Sequence, residues 1–302
     1  MRFAAWILVL LLAMAWLLAV PRAQAAVATP PGTNGLIAFD SNRRGNFDIF
    51  TIKANGTGIV QLTSNSASDV DPSWSPDGTM IVFTSYRSGS GDLYTMNADG
   101  TGVTQFTHDS TFDGYPAWSP DGTKIAFTSI RSGNLDIWVK SVGGGNATQL
   151  TTNHSDDFAP VWSPDGSMIA FTSNRGVSSD VYVMKADGSG QTAAINNDRA
   201  DGWADYSPDG KTFVFESNRN GSFDIYTRGV SGGTSSRLTN KSSFDGYPVW
   251  SPDQTEIAFE SDRPGNLDLY VMNAQGTGLV QLTNKSSVDE SPDWQVAPAF
   301  PG

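Results

Sequence analysis

Short apolar or alternating runs recur along this chain, each closed by a polar turn. The segment from Tyr115 to Thr151 is representative. "YPAWS" and "KIAFTS" are brief and rich in β-branched and aromatic residues, and "LDIWVKSV" and "TQLT" continue in the same manner. Between them stand Pro-Asp-Gly, Arg-Ser-Gly-Asn and Gly-Gly-Gly-Asn, whose residues start tight turns or accept positive φ. No stretch of useful length carries the 3.6-residue spacing of an amphipathic helix. The pattern predicts four antiparallel strands joined as a meander.

The same pattern returns at a fixed interval. Ser-Pro-Asp-Gly begins at Ser75, Ser119, Ser163 and Ser207, and Ser-Pro-Asp-Gln at Ser251, always 44 residues apart. The aromatic just before it keeps step through Trp74, Trp118, Trp162, Tyr206, Trp250 and Trp294. A constant period of four-stranded units predicts an all-β propeller, with strands a to d running from the channel outward. Strands b, c and d occur six times, beginning with "LIAFD" at Leu36, "FDIFTI" at Phe47 and "VQLT" at Val60. The place of the first strand a is held by Thr29-Pro30-Pro31-Gly32. A sixth strand a, "SPDWQV" at Ser291–Val296, has nothing after it. The two incomplete units complement each other, so the reading is six blades over 36–296. The ring is closed by pairing the C-terminal strand with the first three, which removes open sheet edges. Residues 297–302 form a short tail.

The repeated W-S-P-D-G-x-x-I-A-F-x-S-x-R-x-G-x-x-D-I-Y pattern resembles the WD-repeat-like six-bladed propeller of the TolB family, over Leu36–Val296. The resemblance implies a propeller fold. TolB itself carries an α/β domain before its propeller, whereas here about ten residues separate the expected cleavage site from the first strand b.

That cleavage site follows from the N-terminus. Met1-Arg2 precedes an apolar run from Phe3 to Val20, and small residues stand at Ala23 and Ala25. This predicts a secretory signal peptide over 1–25, a flexible lead over 26–35 and a periplasmic or secreted mature protein; a retained anchor is the alternative. Loss of Arg2 and Arg22 leaves 17 basic against 31 acidic residues and moves the formal net charge from −12 to −14. Such a chain is not expected to bind nucleic acid, which requires a basic face. No membrane span is expected after cleavage, and a monomer is expected. There is no cysteine, so stability must come from packing.

Columns shared by the blades are read first as construction. Phe39, Phe83, Phe127, Phe171, Phe215 and Phe259 are expected between sheets, as are the strand c aromatics from Phe50 to Tyr270. Arg43, Arg87, Arg131, Arg175, Arg219 and Arg263 end strand b, and aspartates from Asp48 to Asp268 begin strand c five residues later. A hairpin Arg–carboxylate pair between these two columns is expected. A second acidic column, Asp69, Asp113, Asp157, Asp201, Asp245 and Asp289, precedes strand a and is expected to circle one mouth of the channel. Compensation by the six arginines is one reading of that ring. A bound cation, with Ca²⁺ the expected one, is the other, because hard cations take carboxylate ligands.

Two stretches nearly coincide, "TFDGYPAWSPDG" at Thr111 and "SFDGYPVWSPD" at Ser243, 132 residues or three blades apart. Phe112 and Tyr115 are therefore expected to face Phe244 and Tyr247 across the mouth. One blade departs more than the others, with strand d "TAAIN" at Thr192 and the next stretch "DRADGWADYSPDG" at Asp198, placing Arg199, Trp203 and Asp205 at the mouth. Asp113, Tyr115, Asp201, Trp203, Asp245, Tyr247, Phe112 and Phe244 are the expected ligand or partner contacts, on loops held by a rigid scaffold.

Catalytic signals are sparse. His108 and His154 are the only histidines, both in d–a loops, and neither a nucleophile elbow nor a zinc-binding helix motif occurs. The reading is a scaffold binding an envelope protein or peptide through the d–a face, with no cofactor unless Ca²⁺ occupies the mouth. The alternative is a carbohydrate-active lyase or hydrolase using mouth carboxylates with His154 or Ca²⁺. A bare structural module with an empty channel is a third reading.

Overall fold

A computed structural model describes residues 32–298. The expected signal peptide and most of the lead lie outside these residues. The strands form six four-stranded antiparallel sheets, and every regular element among the described residues is a strand. Blade 1 consists of strands b (Asn34–Ser41), c (Asp48–Lys53) and d (Val60–Gln61) with Asp289–Val296 as its inner strand. Blades 2 to 6 follow in sequence, their inner strands opening at Asp69, Asp113, Asp157, Asp201 and Asp245. Closure by the C-terminal strand is as the repeat count requires: Ile37 pairs with Trp294 and Ser41 with Asp289. The first strand begins at Asn34, two residues before the sequence suggests.

The a–b hairpin owes its shape to Ser-Pro-Asp-Gly. Ser75 Oγ donates to Asp77 Oδ1 at 2.6 Å, the Thr79 amide donates to the same oxygen at 3.0 Å, and the Met80 amide donates to Ser75 Oγ at 2.9 Å. Gly78 closes the turn at φ 69°, the left-handed region; Gln254 occupies the equivalent position at φ 64° without glycine's freedom. These bonds hold the carboxyls of Asp121, Asp165 and Asp209 below their ordinary range.

Packing lies between blades. Phe39, Phe83, Phe127, Phe171, Phe215 and Phe259 are buried, as are the aromatics that precede each Ser-Pro. Outer strands are short, two paired residues in five blades and four (Thr192–Ile195) in blade 4, which limits the edge each presents.

The arginine column corrects one expectation. Each guanidinium pairs with the aspartate that opens strand a of its own blade rather than with the strand c aspartate. The six contacts, from Arg43–Asp289 to Arg263–Asp245, measure 2.5–2.8 Å. Register is the cause, because Asp113 lies opposite Ser129, two residues before Arg131, at the same end of the sheet. Each guanidinium also sits 4.7–5.7 Å from the centroids of two rings, the strand b phenylalanine and the strand c aromatic. The strand c aspartates are taken by strand d: Gln61 Nε2 and Thr63 Oγ1 donate to Asp48 at 3.0 and 3.3 Å, and Arg237 reaches Asp224 at 2.6 Å. The recurring Gln-Leu-Thr of strand d is thereby accounted for.

Candidate functional site at the channel mouth

The inner strands are bulged. Their pairing with strand b slips after the second residue, between Gly114 and Ala117 and between Gly246 and Val249 for example. The third residue of each strand takes left-handed φ: Asp71, Tyr115, Ala159, Trp203, Tyr247 and Ser291, at 49–56°. For aromatic side chains this conformation is costly, about 1–2 kcal/mol per residue.

Side chains of the neighbouring blade hold the bulges. The Asp71 amide donates to Asp40 at 3.2 Å, Ala159 to Thr128 at 3.1 Å, Trp203 to Thr172 at 3.0 Å, Tyr247 to Glu216 at 3.2 Å and Ser291 to Glu260 at 2.9 Å. Sequence reasoning missed this strand b column. Its signal was the residue after each core phenylalanine, which is acidic in three of six blades: Asp40, Glu216 and Glu260.

The third-position residues meet across the channel. Tyr115 of blade 3 lies 5.9 Å from Trp203 of blade 5, which lies 5.1 Å from Tyr247 of blade 6. Phe112 packs on Tyr115 at 5.8 Å, Phe244 on Tyr247 at 6.0 Å, Phe158 on Trp203 at 4.9 Å and Phe223 on Phe244 at 5.9 Å. The twin stretches thus stand opposite each other as their spacing requires, but Trp203 joins them into one aromatic band. The shared Phe-Asp-Gly-Tyr has a steric reason. A Cβ on Gly114 or Gly246 would come within 2.3 Å of Phe112 or Phe244, so glycine lets the phenyl ring fold over strand a.

The opposite side of the mouth is acidic and buried, with Asp40, Asp71, Glu260 and Glu290 all at most 5% exposed. Burial, then the neighbouring Glu290 carboxylate, holds Glu260 well above the usual carboxylate range. The channel therefore carries an aromatic half and an acidic half, and Glu216 stands where they meet.

The aspartates expected at the surface lie beneath it. Asp113, Asp201 and Asp245 are at most 1% exposed, and their carboxylates face Arg131, Arg219 and Arg263. Asp69, Asp157 and Asp289 are held in the same way. Among the described residues no group of three or more Asp, Glu or His side chains is placed to hold a metal ion. Asp205 is a correction: it lies fully buried away from the mouth and accepts the Trp250 amide at 2.9 Å, because the bulge reverses the alternation beyond Trp203. Arg199 is exposed on its loop. His154 is exposed as well, while Asp157 pairs with Arg175 and Asp156 accepts the Leu135 amide at 3.1 Å. The carboxylates that would serve that histidine in acid–base chemistry are thus engaged elsewhere.

Burial pushes the Glu216 carboxyl up to about 8. A carboxyl raised in the folded state adds stability below its ordinary range, and that stability is lost as pH rises through the folded value. Unfolding free energy is therefore expected to fall as pH rises from about 4.5, the ordinary carboxyl value, to about 8, the folded one, and to level off above it. Glu216→Gln is expected to remove a slope of up to about 1.4 kcal/mol per pH unit over that window, read by urea unfolding. An unchanged slope in the variant would assign the pH dependence to other groups.

A cleft of about 160 Å³ opens beside Glu216, between blades 4, 5 and 6. A larger depression, about 550 Å³, lies on the outer strands of blade 1 beside Arg44 and Lys285, away from the channel.

No curated protein matches the chain. Solved structures do. TolB from Acinetobacter baumannii superposes with a TM-score of 0.76 at 21% identity, covering 86% of this chain and 66% of that one. An Agrobacterium tumefaciens protein assigned as TolB gives 0.71 at 22%, covering 87% and 92%. Oligogalacturonate lyase from Vibrio parahaemolyticus gives 0.55 at 14%, covering 82% and 89%. At these identities the likeness is one of fold. The family model described as the TolB beta propeller domain matches residues 19–113, 109–202 and 196–298. Those three segments span the described propeller, and this chain belongs to the TolB β-propeller family.

Proposed function

We propose that this chain is an exported envelope scaffold that binds a protein or peptide at the channel mouth, on the face shared by the d–a and b–c loops. The observation that carries this reading is the aromatic band. Phe158, Phe223 and Phe244 remain partly exposed at its rim, and Tyr115, Trp203 and Tyr247 beneath them hold a costly backbone conformation. Phe112 and Phe244 frame the band from opposite blades. Asp113, Asp201 and Asp245 support it from below through their ion pairs. Family membership and the apolar N-terminus with its Ala-x-Ala site support an envelope location. The carbohydrate-enzyme reading draws on the lyase fold alone.

The test is capture from envelope extract by the mature protein. Phe223→Ala/Phe244→Ala changes the mouth, and Val142→Ala, on a c–d loop of the opposite face, is the control. A partner held by the parent and the control but lost by the mouth variant, with all three melting cooperatively, is the expected result. Equal capture by all three, or none by the parent, would overturn the reading.

A further inference from the structure

The cleft beside Glu216 has a composition that ordinary blade construction does not require. Phe158, Trp203, Phe223, Phe244 and Tyr247 line it, and the Glu216 carboxyl stands in its wall, 4% exposed. The rings form a continuous arc, Phe158–Trp203–Tyr247–Phe244–Phe223, with successive centroids 4.9–6.0 Å apart. In blades 2 to 4 the Glu216 position holds threonine, Thr84, Thr128 or Thr172, and threonine holds the bulge amide in blades 4 and 5. A carboxylate is therefore not needed to support a bulge. The Tyr247 amide donates to Glu216 Oε2 at 3.2 Å.

We infer that this cleft is an aromatic cage for one organic cation, an alkylammonium head group, with Glu216 as its counter-ion. Ring faces attract cations through their quadrupoles, most strongly where water is excluded. The buried carboxylate supplies the opposite charge that a desolvated ammonium needs. Size sets the class of ligand. At about 160 Å³ the cleft is smaller than pockets that take a whole cofactor or drug-sized molecule, about 300–1,000 Å³. It suits one head group. The inference rests on the mouth-binding reading above, with a lysine side chain of the partner as the first source and a free quaternary ammonium compound as the second.

Cation binding and ionisation of Glu216 are linked. The groups facing Glu216 are Tyr247 of blade 6, whose hydroxyl is raised by burial and by Glu216, Glu260 of blade 6, and Asp201 of its own blade, which Arg219 neutralises. The facing strand of blade 4 contributes the uncharged Thr172. None of these supplies a competing cation. Affinity for an ammonium is thus expected to rise as pH passes from 6 to 9.

Ligand-observed proton NMR tests the inference with tetramethylammonium, n-butylammonium and the neutral isostere tert-butanol. A parallel arm compares a lysine-containing tripeptide, capped at both ends, with its norleucine analogue. Both cations are expected to shift upfield through ring currents and to bind more tightly at higher pH, and tert-butanol to bind weakly. Glu216→Gln is expected to lose about 10- to 100-fold in affinity together with the pH dependence. Phe223→Leu, at the partly exposed rim, is expected to reduce the upfield shift while keeping the pH dependence. Preference for the lysine peptide assigns the cation to a polypeptide, and preference for tetramethylammonium assigns it to a free compound. Equal binding of tert-butanol, or an unchanged affinity in folded Glu216→Gln, overturns the inference. Partner capture surviving such a result would leave the mouth-binding reading intact; cation binding without any captured partner would remove that reading and keep the cage.

Discussion

A chain ending at Lys285 is expected to have no cooperatively folded monomer. The missing segment includes the inner strand of blade 1, and four separate supports leave with it. Trp294 is fully buried, and loss of a buried tryptophan side chain alone costs about 3–5 kcal/mol. Arg43 loses its Asp289 partner at 2.7 Å. The Trp74 amide loses the Asp293 carboxylate, an acceptor 2.6 Å away in the adjoining blade. Gln295 no longer joins the Leu36 amide at 3.0 Å to the Gly78 carbonyl at 2.7 Å. Together these approach the whole stability of an ordinary domain, about 5–15 kcal/mol. The truncated chain also exposes the full edge of Asn34–Ser41, so aggregation or strand exchange is the expected fate. Circular dichroism melting with size-exclusion chromatography reads the result, and a peptide spanning 286–298 added in trans is expected to restore part of the transition. A monomer melting cooperatively within a few degrees of the parent would show that ring closure contributes little.

The second large effect belongs to the buried ion pairs. Arg131→Ala is expected to destabilise the protein by about 3–5 kcal/mol, the usual consequence of removing one partner from a buried pair. Arg131 Nη2 lies 2.7 and 2.6 Å from the two Asp113 oxygens, and its Nε donates to Ser129 Oγ at 2.9 Å. Even so, desolvation outweighs the arginine and keeps the Asp113 carboxyl above its ordinary value. The pair is thus close to balance, and either member alone is a burden. Arg131→Met/Asp113→Asn is accordingly expected to recover most of the loss, since the thioether chain keeps the contact with Phe127 and Trp138 that the guanidinium makes at 5.4 and 4.8 Å. Urea unfolding of Arg131→Met, Asp113→Asn and their double, beside Arg131→Ala, measures the coupling. Equal destabilisation by the double and by Arg131→Ala would place the effect in lost packing and not in charge.

Much of the architecture was legible because its determinants are local. Ser-Pro-Asp-Gly closes a hairpin with its own side chains, alternation within a strand needs only its own period, and the constant step of 44 residues counts the blades. Closure followed from that count, since a strand a without successors at Asp289–Val296 and a unit without strand a at Asn34 leave one pairing that satisfies both. The partners of the arginines were not legible. Arg87, Arg131, Arg175, Arg219 and Arg263 each have an aspartate five residues ahead and another eighteen behind, while Arg43 has Asp48 ahead and Asp289 across the ring closure. In blade 3 both aspartates stand at the same end of the sheet. Strand d decides between them, because Gln and Thr reach the nearer carboxylate first and leave the farther one to the arginine.

The mouth marks the boundary between what the chain declares and what its folding decides. The sequence by itself determined the six-bladed ring, its closure and the placing of Phe112-Tyr115 opposite Phe244-Tyr247, all of which rest on period and short-range turn chemistry. Only the tertiary structure decided that Trp203 joins the two sides and that Asp205 is buried against Trp250. It also decided that Glu216 faces an aromatic cleft. The physical reason is the bulge: one extra residue in the left-handed region reverses the alternation beyond it, so the direction of each later side chain depends on a backbone irregularity held by the neighbouring blade.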